Sequence, residues 1–357
     1  MRIAIDARLS YYVQAGITQY TLNLIRALAD IDRENEYSVL QRRPDQRSIV
    51  DQDNFRRVPL LAPTHHPLEQ YVLGLELSLR SKQDVIHCTD FIPPFYYRGP
   101  TVVTVHDLAF LLYPHFLTRK AARYYGLIDR AVRHAEHVIA VSEATKRDIV
   151  RYYNIDPAKI TVVYEAASSH FEPPPPARID LVRKKYDLPS RFLIHLSTIE
   201  PRKNLDRLLD TLLALRRTHP DLHLVLVGGK GWLYEAFFAR IENESLSNCV
   251  TSLGWVPDED LPAVIAAADL AVQPSLYEGF GLPILEHMAS GQVVAASNYS
   301  SHPEVGGDAA AYFDPTDVAE MTAVIKRLLT DRAEYAHRRQ LGLQQARKFS
   351  WQRAAQE

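Results

Sequence analysis

Four consecutive prolines, Pro173-Pro174-Pro175-Pro176, constrain this chain more than any other feature. A proline ring fixes φ and removes the backbone N–H. Such a run cannot lie inside a helix or a central strand and favours stiff, extended backbone. The 357 residues are therefore expected to divide near it. On both sides, short β-rich runs alternate with helical patterns. The first part gives strand candidates at 3–6, 85–88, 101–105, 138–141 and 160–163, with helical patterns at 21–29 and between 105 and 138. The second gives strands at 192–196, 222–227, 250–253, 270–273 and 293–296, and helices at 205–217, 261–268 and 282–289. Strand, helix, strand, repeated, is the pattern of parallel sheets with helices on both faces. The reading is α/β: two Rossmann-like domains, residues 1–172 and 189–357, joined by a linker at 173–188.

Composition narrows the function. Hydrophobic residues make up 46% and charged residues 24%, which excludes a disordered or fibrous chain. A net charge of −2 gives no reason to expect nucleic-acid binding. Two cysteines, Cys88 and Cys249, are too few for a disulfide framework or a structural zinc site, and suit a reducing cytosol. No apolar run reaches the roughly 18–20 residues that span a bilayer. The opening stretch, Met1 to Ala7, meets Asp6 too soon for a signal peptide and reads as a first strand. The expectation is a cytoplasmic protein, with peripheral contact at the inner face of the membrane as an added reading. One pattern bears on that contact. Over residues 118–136, Arg119, Arg123, Arg130 and Arg133 fall within about 80° of one another on a helical wheel, opposite Tyr124, Tyr125, Ile128 and Val132. The plain reading is a solvated face; the sharper one is a dock for anionic lipid or a lipid-diphosphate acceptor.

In open parallel sheets, ligands bind beyond the carboxyl ends of the strands. The densest chemistry in such a place is Pro274-Ser275-Leu276-Tyr277-Glu278-Gly279-Phe280-Gly281-Leu282-Pro283-Ile284-Leu285-Glu286. Glycines allow close backbone approach, Pro283 suits a first helical turn, and a helix start offers free N–H groups to a phosphate. Glu278 and Glu286 can accept hydrogen bonds from two hydroxyl-bearing parts of one ligand. An ordinary strand–loop–helix with a capping glutamate is the plain alternative. Two Asp-x-Asp strings, Asp51-Gln52-Asp53 and Asp258-Glu259-Asp260, read as turns and caps, so no metal site is expected. The loop from Ala7 to Gln19 lacks Gly-x-Gly-x-x-Gly, which argues against a dinucleotide oxidoreductase. Gly228-Gly229-Lys230-Gly231-Trp232 lacks the Walker spacing.

The Glu-x7-Glu segment, with Gly-Phe-Gly-Leu-Pro inside it, resembles the signature of the retaining glycosyltransferases of family four. Ser197-Thr198-Ile199-Glu200-Pro201-Arg202-Lys203-Asn204, Val105-His106-Asp107, Val141 to Asp148 and Pro303-Glu304-Val305 are similar to further ordered motifs of that family. The resemblance covers almost the whole chain and implies the GT-B fold: two facing Rossmann-like domains with an interdomain cleft, the last helix returning to the first. It implies a hexosyl transfer from a nucleotide-sugar, without a cofactor or metal, to a glycan or lipid-diphosphate-linked acceptor in polysaccharide synthesis. Arg202 and Lys203 would meet the diphosphate, Glu278 the donor sugar and Glu286 the ribose. Gly279, Phe280, Gly281 and Leu282 would lie along the donor, and Trp255 and Val256 near the base. Gly16 would meet the donor phosphate or the acceptor. His106 would approach the donor sugar, touching a hydroxyl and stabilising positive charge at the reacting carbon. Asp107 either orients it or caps the next helix. The Glu-Pro-Arg-Lys-Asn variant resembles bacterial polysaccharide mannosyltransferases, which puts GDP-mannose first as donor and a UDP-sugar next. A sugar-nucleotide epimerase of the same fold and a noncatalytic sugar-nucleotide-binding protein are the alternatives.

Overall fold

The structure, a computed structural model, describes residues 1–12, 16–64, 66, 68–80, 82–114 and 124–357. The chain divides into two compact units, Met1–Glu165 with Ser350–Glu357, and Ala166–Phe349. In the first unit, strands β1 (Arg2–Asp6), β2 (Glu36–Arg42), β3 (Phe55–Leu60), β4 (Val85–Cys88), β5 (Thr101–Val105), β6 (His137–Ala140) and β7 (Ile160–Val162) form one sheet. Their order is β3-β2-β1-β4-β5-β6-β7, and every pairing is parallel. The strand order reverses between β1 and β4, where Ile5 lies opposite His87. Helix α1 (Gly16–Ile31) covers the sheet with Tyr20, Leu24 and Ile25, which the 3.6-residue repeat brings to one face.

The second unit repeats the plan with strands β8 (Arg191–Leu196), β9 (Leu222–Val227), β10 (Val250–Gly254), β11 (Leu270–Gln273), β12 (Val294–Ser297) and β13 (Ala311–Phe313). The order β10-β9-β8-β11-β12-β13 reverses between β8 and β11. Leu193, Leu224, Leu270 and Val272 are fully buried, as a sheet covered on both faces requires. Helix α2 (Pro176–Lys185) opens this unit. Helix α3 (Leu205–Arg216) adds Leu208, Leu212 and Leu215 to its core, and each such burial contributes about 1.5–3 kcal/mol. Helix α4 (Leu282–Ala289) follows β11. The final segment belongs to the first unit: helix α5 (Trp351–Gln356) lies against α1, with Trp351 edge-on to Tyr20 at 5.7 Å.

Three differences from the sequence reading have local causes. The proline run starts a helix instead of forming a linker through 188. Pro176 occupies the first turn of α2, where an N–H would have no partner, and the units divide earlier, at Glu165/Ala166. Strands β2 and β13 were not expected, and β13 has only Ala311–Phe313. The long helical pattern before β6 ends in a turn at Gly126–Leu127, leaving a helix over Ile128–His134. Arg119 and Arg123 lie outside the described residues. The guanidinium of Arg130 sits 4.1 Å over the Phe95 ring, and Arg133 pairs with Asp129 at 2.8 Å. No helix among the described residues is long and apolar enough to cross a membrane.

Candidate active site

The second unit concentrates its charged chemistry where β8 and β11 lie side by side. The loop after β8 ends in a tight turn, Pro201–Lys203. Asn204 then adopts φ 61°, ψ 35°, a left-handed conformation that asparagine tolerates. Its side-chain amide donates to the carbonyls of Pro274 at 3.0 Å and Pro315 at 2.7 Å. The Leu276 N–H donates to the Arg202 carbonyl at 2.9 Å. These bonds fasten the loop after β8 to the loop after β11, so Arg202 and Lys203 arrive beside Glu278 from separate strands.

The contacts are close and sheltered. Arg202 Nη1 donates to Glu278 Oε2 at 2.6 Å and to the Tyr277 carbonyl at 3.0 Å. Lys203 Nζ donates to Glu278 Oε1 at 2.5 Å, and Ser275 Oγ to the same oxygen at 2.7 Å. Arg202 Nε also pairs with Glu200 at 2.6 Å, so two cations face two carboxylates. Burial alone pushes the Glu278 carboxyl up, but Arg202 and Lys203 outweigh it and hold the group well below the usual carboxylate range.

Sequence reading missed the groups that hold Glu278 in place. Its backbone N–H donates to Ser300 Oγ at 3.2 Å, and Ser300 and Ser301 both donate to its carbonyl. Ser301 also donates to the Phe280 carbonyl at 2.7 Å. These serines and His302 precede the Pro303-Glu304-Val305 motif, which was the available signal. Gly281 caps α4 at φ +99°, and a Cβ there would stand 3.0 Å from His302 Cδ2, so glycine is required on both counts. Burial pushes the His302 imidazole down to about 4, leaving it neutral.

Other expected residues fall in different settings. Glu286 is half-buried on α4, and Leu282 is its first residue. Gly279 and Phe280 are buried, and the Phe280 ring packs edge-on to Phe349 at 5.9 Å. Val256 is likewise buried, whereas Trp255 is 55% exposed. Of the Asp-x-Asp strings, Asp260 stands at the N-cap position of the helix Leu261–Ala266 but makes no capping bond: its buried carboxylate is held by Arg178 at 2.5 Å and Lys185 at 2.6 Å.

In the first unit, His106 follows β5. Its Nδ1 lies 3.1 Å from Glu165 Oε1 and its Nε2 2.8 Å from the Thr89 carbonyl oxygen. Burial pushes this imidazole down, but the Glu165 carboxylate and the Thr89 carbonyl more than offset that and raise its pKa above the ordinary value. Asp107 does not orient His106: its Oδ1 accepts from the Ala109 N–H at 2.9 Å, a cap. Glu165, just past β7, orients the ring, and its place after a strand was the signal for it. Gly16 begins α1, and a Cβ there would meet open space, so nothing within the fold demands glycine.

Two parallel-sheet units of this topology are those of the GT-B glycosyltransferases. The chain belongs to glycosyltransferase family 4. The Glycosyltransferase Family 4 model matches residues 15–168, and the Glycosyl transferases group 1 model matches residues 179–348. The O-antigen chain mannosyltransferase B of Escherichia coli is 33% identical over 96% of this chain and 94% of its own length. Among solved structures, WaaG, a glycosyltransferase involved in lipopolysaccharide biosynthesis, superposes with a TM-score of 0.77 at 16% identity, covering 99% of this chain and 97% of WaaG. Anabaena Alr3699/HepE, solved with UDP and glucose, gives 0.78 at 21% identity, covering 100% and 97%.

Proposed function

We propose that this glycosyltransferase moves a mannosyl group from GDP-mannose to a glycan or lipid-linked acceptor in polysaccharide synthesis, with retention and without a metal. The observation that carries the reading is the meeting of Arg202, Lys203 and Glu278 from the loops after two adjacent strands. Identity to an O-antigen mannosyltransferase along nearly the whole chain supports mannose. The UDP and glucose in Alr3699/HepE keep a UDP-sugar as the next donor.

In this reading the diphosphate takes the N–H donors of Lys203 and Arg202 and lies against the start of α4 near Gly279–Leu282. Glu278, released from part of its pairing, accepts from donor-sugar hydroxyls. Glu286 accepts from the ribose, backbone near Trp255 and Val256 meets the base, and Gly16 lines the acceptor or phosphate. As the bond from the anomeric carbon to the diphosphate breaks, negative charge grows where two positioned cations stabilise it, which leaves no step that needs a metal. The acceptor oxygen bonds to the same face of that carbon, and its proton passes to the departing phosphate. The exposed arginine face including Arg130 and Arg133 is the proposed contact with anionic lipid.

The test is a donor screen by nucleotide release and thermal shift across GDP- and UDP-sugars. Turnover and stabilisation with GDP-mannose above all others are expected. Binding without release from any donor would overturn the catalytic reading.

A further inference from the structure

Glu165 has no assigned role, yet it stands where the proton state of His106 is decided. The ring is clamped at both nitrogens. The Thr89 carbonyl oxygen, 2.8 Å from Nε2, can only accept, so Nε2 carries a hydrogen. The Glu165 carboxylate, 3.1 Å from Nδ1, likewise calls for a hydrogen there. Both partners are fixed. Thr89 follows β4 and its own Oγ1 donates to the Asp6 carbonyl at 2.7 Å; the Glu165 side chain is only 6% exposed.

The other groups facing the ring sharpen the assignment. Asp90, after β4, adds negative charge. His87, on β4, is its basic neighbour; burial pushes it down to about 4, so it stays neutral and leaves the single proton charge on His106. Tyr20 of α1 presents an edge-on ring with centroids 4.8 Å apart, and its hydroxyl pairs with Thr104 Oγ1, as does His87 Nε2. Burial holds that phenol neutral.

We propose that Glu165 is a positioning residue that keeps His106 as an imidazolium with Nδ1–H turned inward, leaving Nε2–H as the donor that exchanges from the Thr89 carbonyl onto an oxygen of the sugar donor. The inference rests on the assignment of His106 to the donor sugar. Its direction of pH dependence follows. The charged ring is the working form, so activity is lost as pH rises through the elevated pKa of His106. Without the carboxylate, that loss begins at lower pH.

Imidazole nitrogen NMR of the full-length wild type reads the proton state without any need for turnover. The His106 ring is expected to titrate above the 6.5 of an ordinary imidazole, with both nitrogens protonated below that point, and titration at or below 6.5 would overturn the proposal. In Glu165→Gln the ring should titrate about one pH unit lower. With the best donor, kcat should fall about tenfold while donor KM changes less than threefold, and the alkaline limb should shift acid-ward by the same unit. Glu165→Asp should recover part of both shifts, which separates positioning from packing. An unchanged His106 titration in Glu165→Gln would refute the role even if activity fell. Expected NMR shifts without any glycosyl transfer would instead overturn the functional assignment of His106.

Discussion

Replacing Lys203 with alanine isolates one charge in the proposed mechanism. The Lys203 side chain is 8% exposed and its Nζ is 2.5 Å from Glu278, so solvent screens it little. A unit charge about 4 Å from a phosphate oxygen interacts by about 4 kcal/mol at an effective dielectric near 20. Only the part that grows as the leaving group gains charge lowers the barrier, and one such contact typically contributes about 3 kcal/mol. That corresponds to about a 150-fold fall in kcat. Glu278 keeps Arg202 at 2.6 Å and Ser275 at 2.7 Å, so the carboxylate is not stranded and the variant should fold. The assay is nucleotide release at saturating GDP-mannose, with thermal unfolding as the control. Wild-type kcat in a folded Lys203→Ala protein would remove Lys203 from the mechanism.

The two glutamates should separate kinetically: Glu286→Gln should raise the nucleotide Kd about tenfold or more, and Glu278→Gln should mainly lower kcat, since a hydrogen bond to a charged group contributes about 1.5–3 kcal/mol. Equal losses of nucleotide affinity in titrations of both variants would defeat that division. Activity should persist in excess EDTA; complete loss restored by magnesium would contradict the cationic role of Arg202 and Lys203. Burial pushes His195 and His302 down to about 4 and His287 to about 3. Unfolded histidines near 6.5 then bind protons that these folded ones refuse, so their contribution to stability is complete above about pH 6.5 and declines as pH falls towards 4. Calorimetry should show a lower Tm at pH 5 than at pH 7, and an equal Tm would refute that buried, neutral state. Below the ordinary carboxylate range near 4.3, loss of the Glu278 pairs adds to the decline, and Glu278→Gln should lack that added loss.

Much of the second unit was legible because strands buried on both faces read as apolar runs: 222–227 and 270–273 match β9 and β11 residue for residue. Of the edge strands, β7 and β10 were legible, but β13, three residues long, was not. The motif residues around Glu278 were legible from spacing, but their mutual pairing was not. It depends on Asn204 joining two loops that lie 70 residues apart in sequence. Glu165 escaped for the same reason: nothing local links it to His106, 59 residues earlier.

The anomeric configuration of the product tests the proposed reaction most directly. With GDP-α-mannose and a mannose-terminated acceptor, NMR of the new linkage should show an α-mannoside. A β-mannoside would contradict retaining transfer.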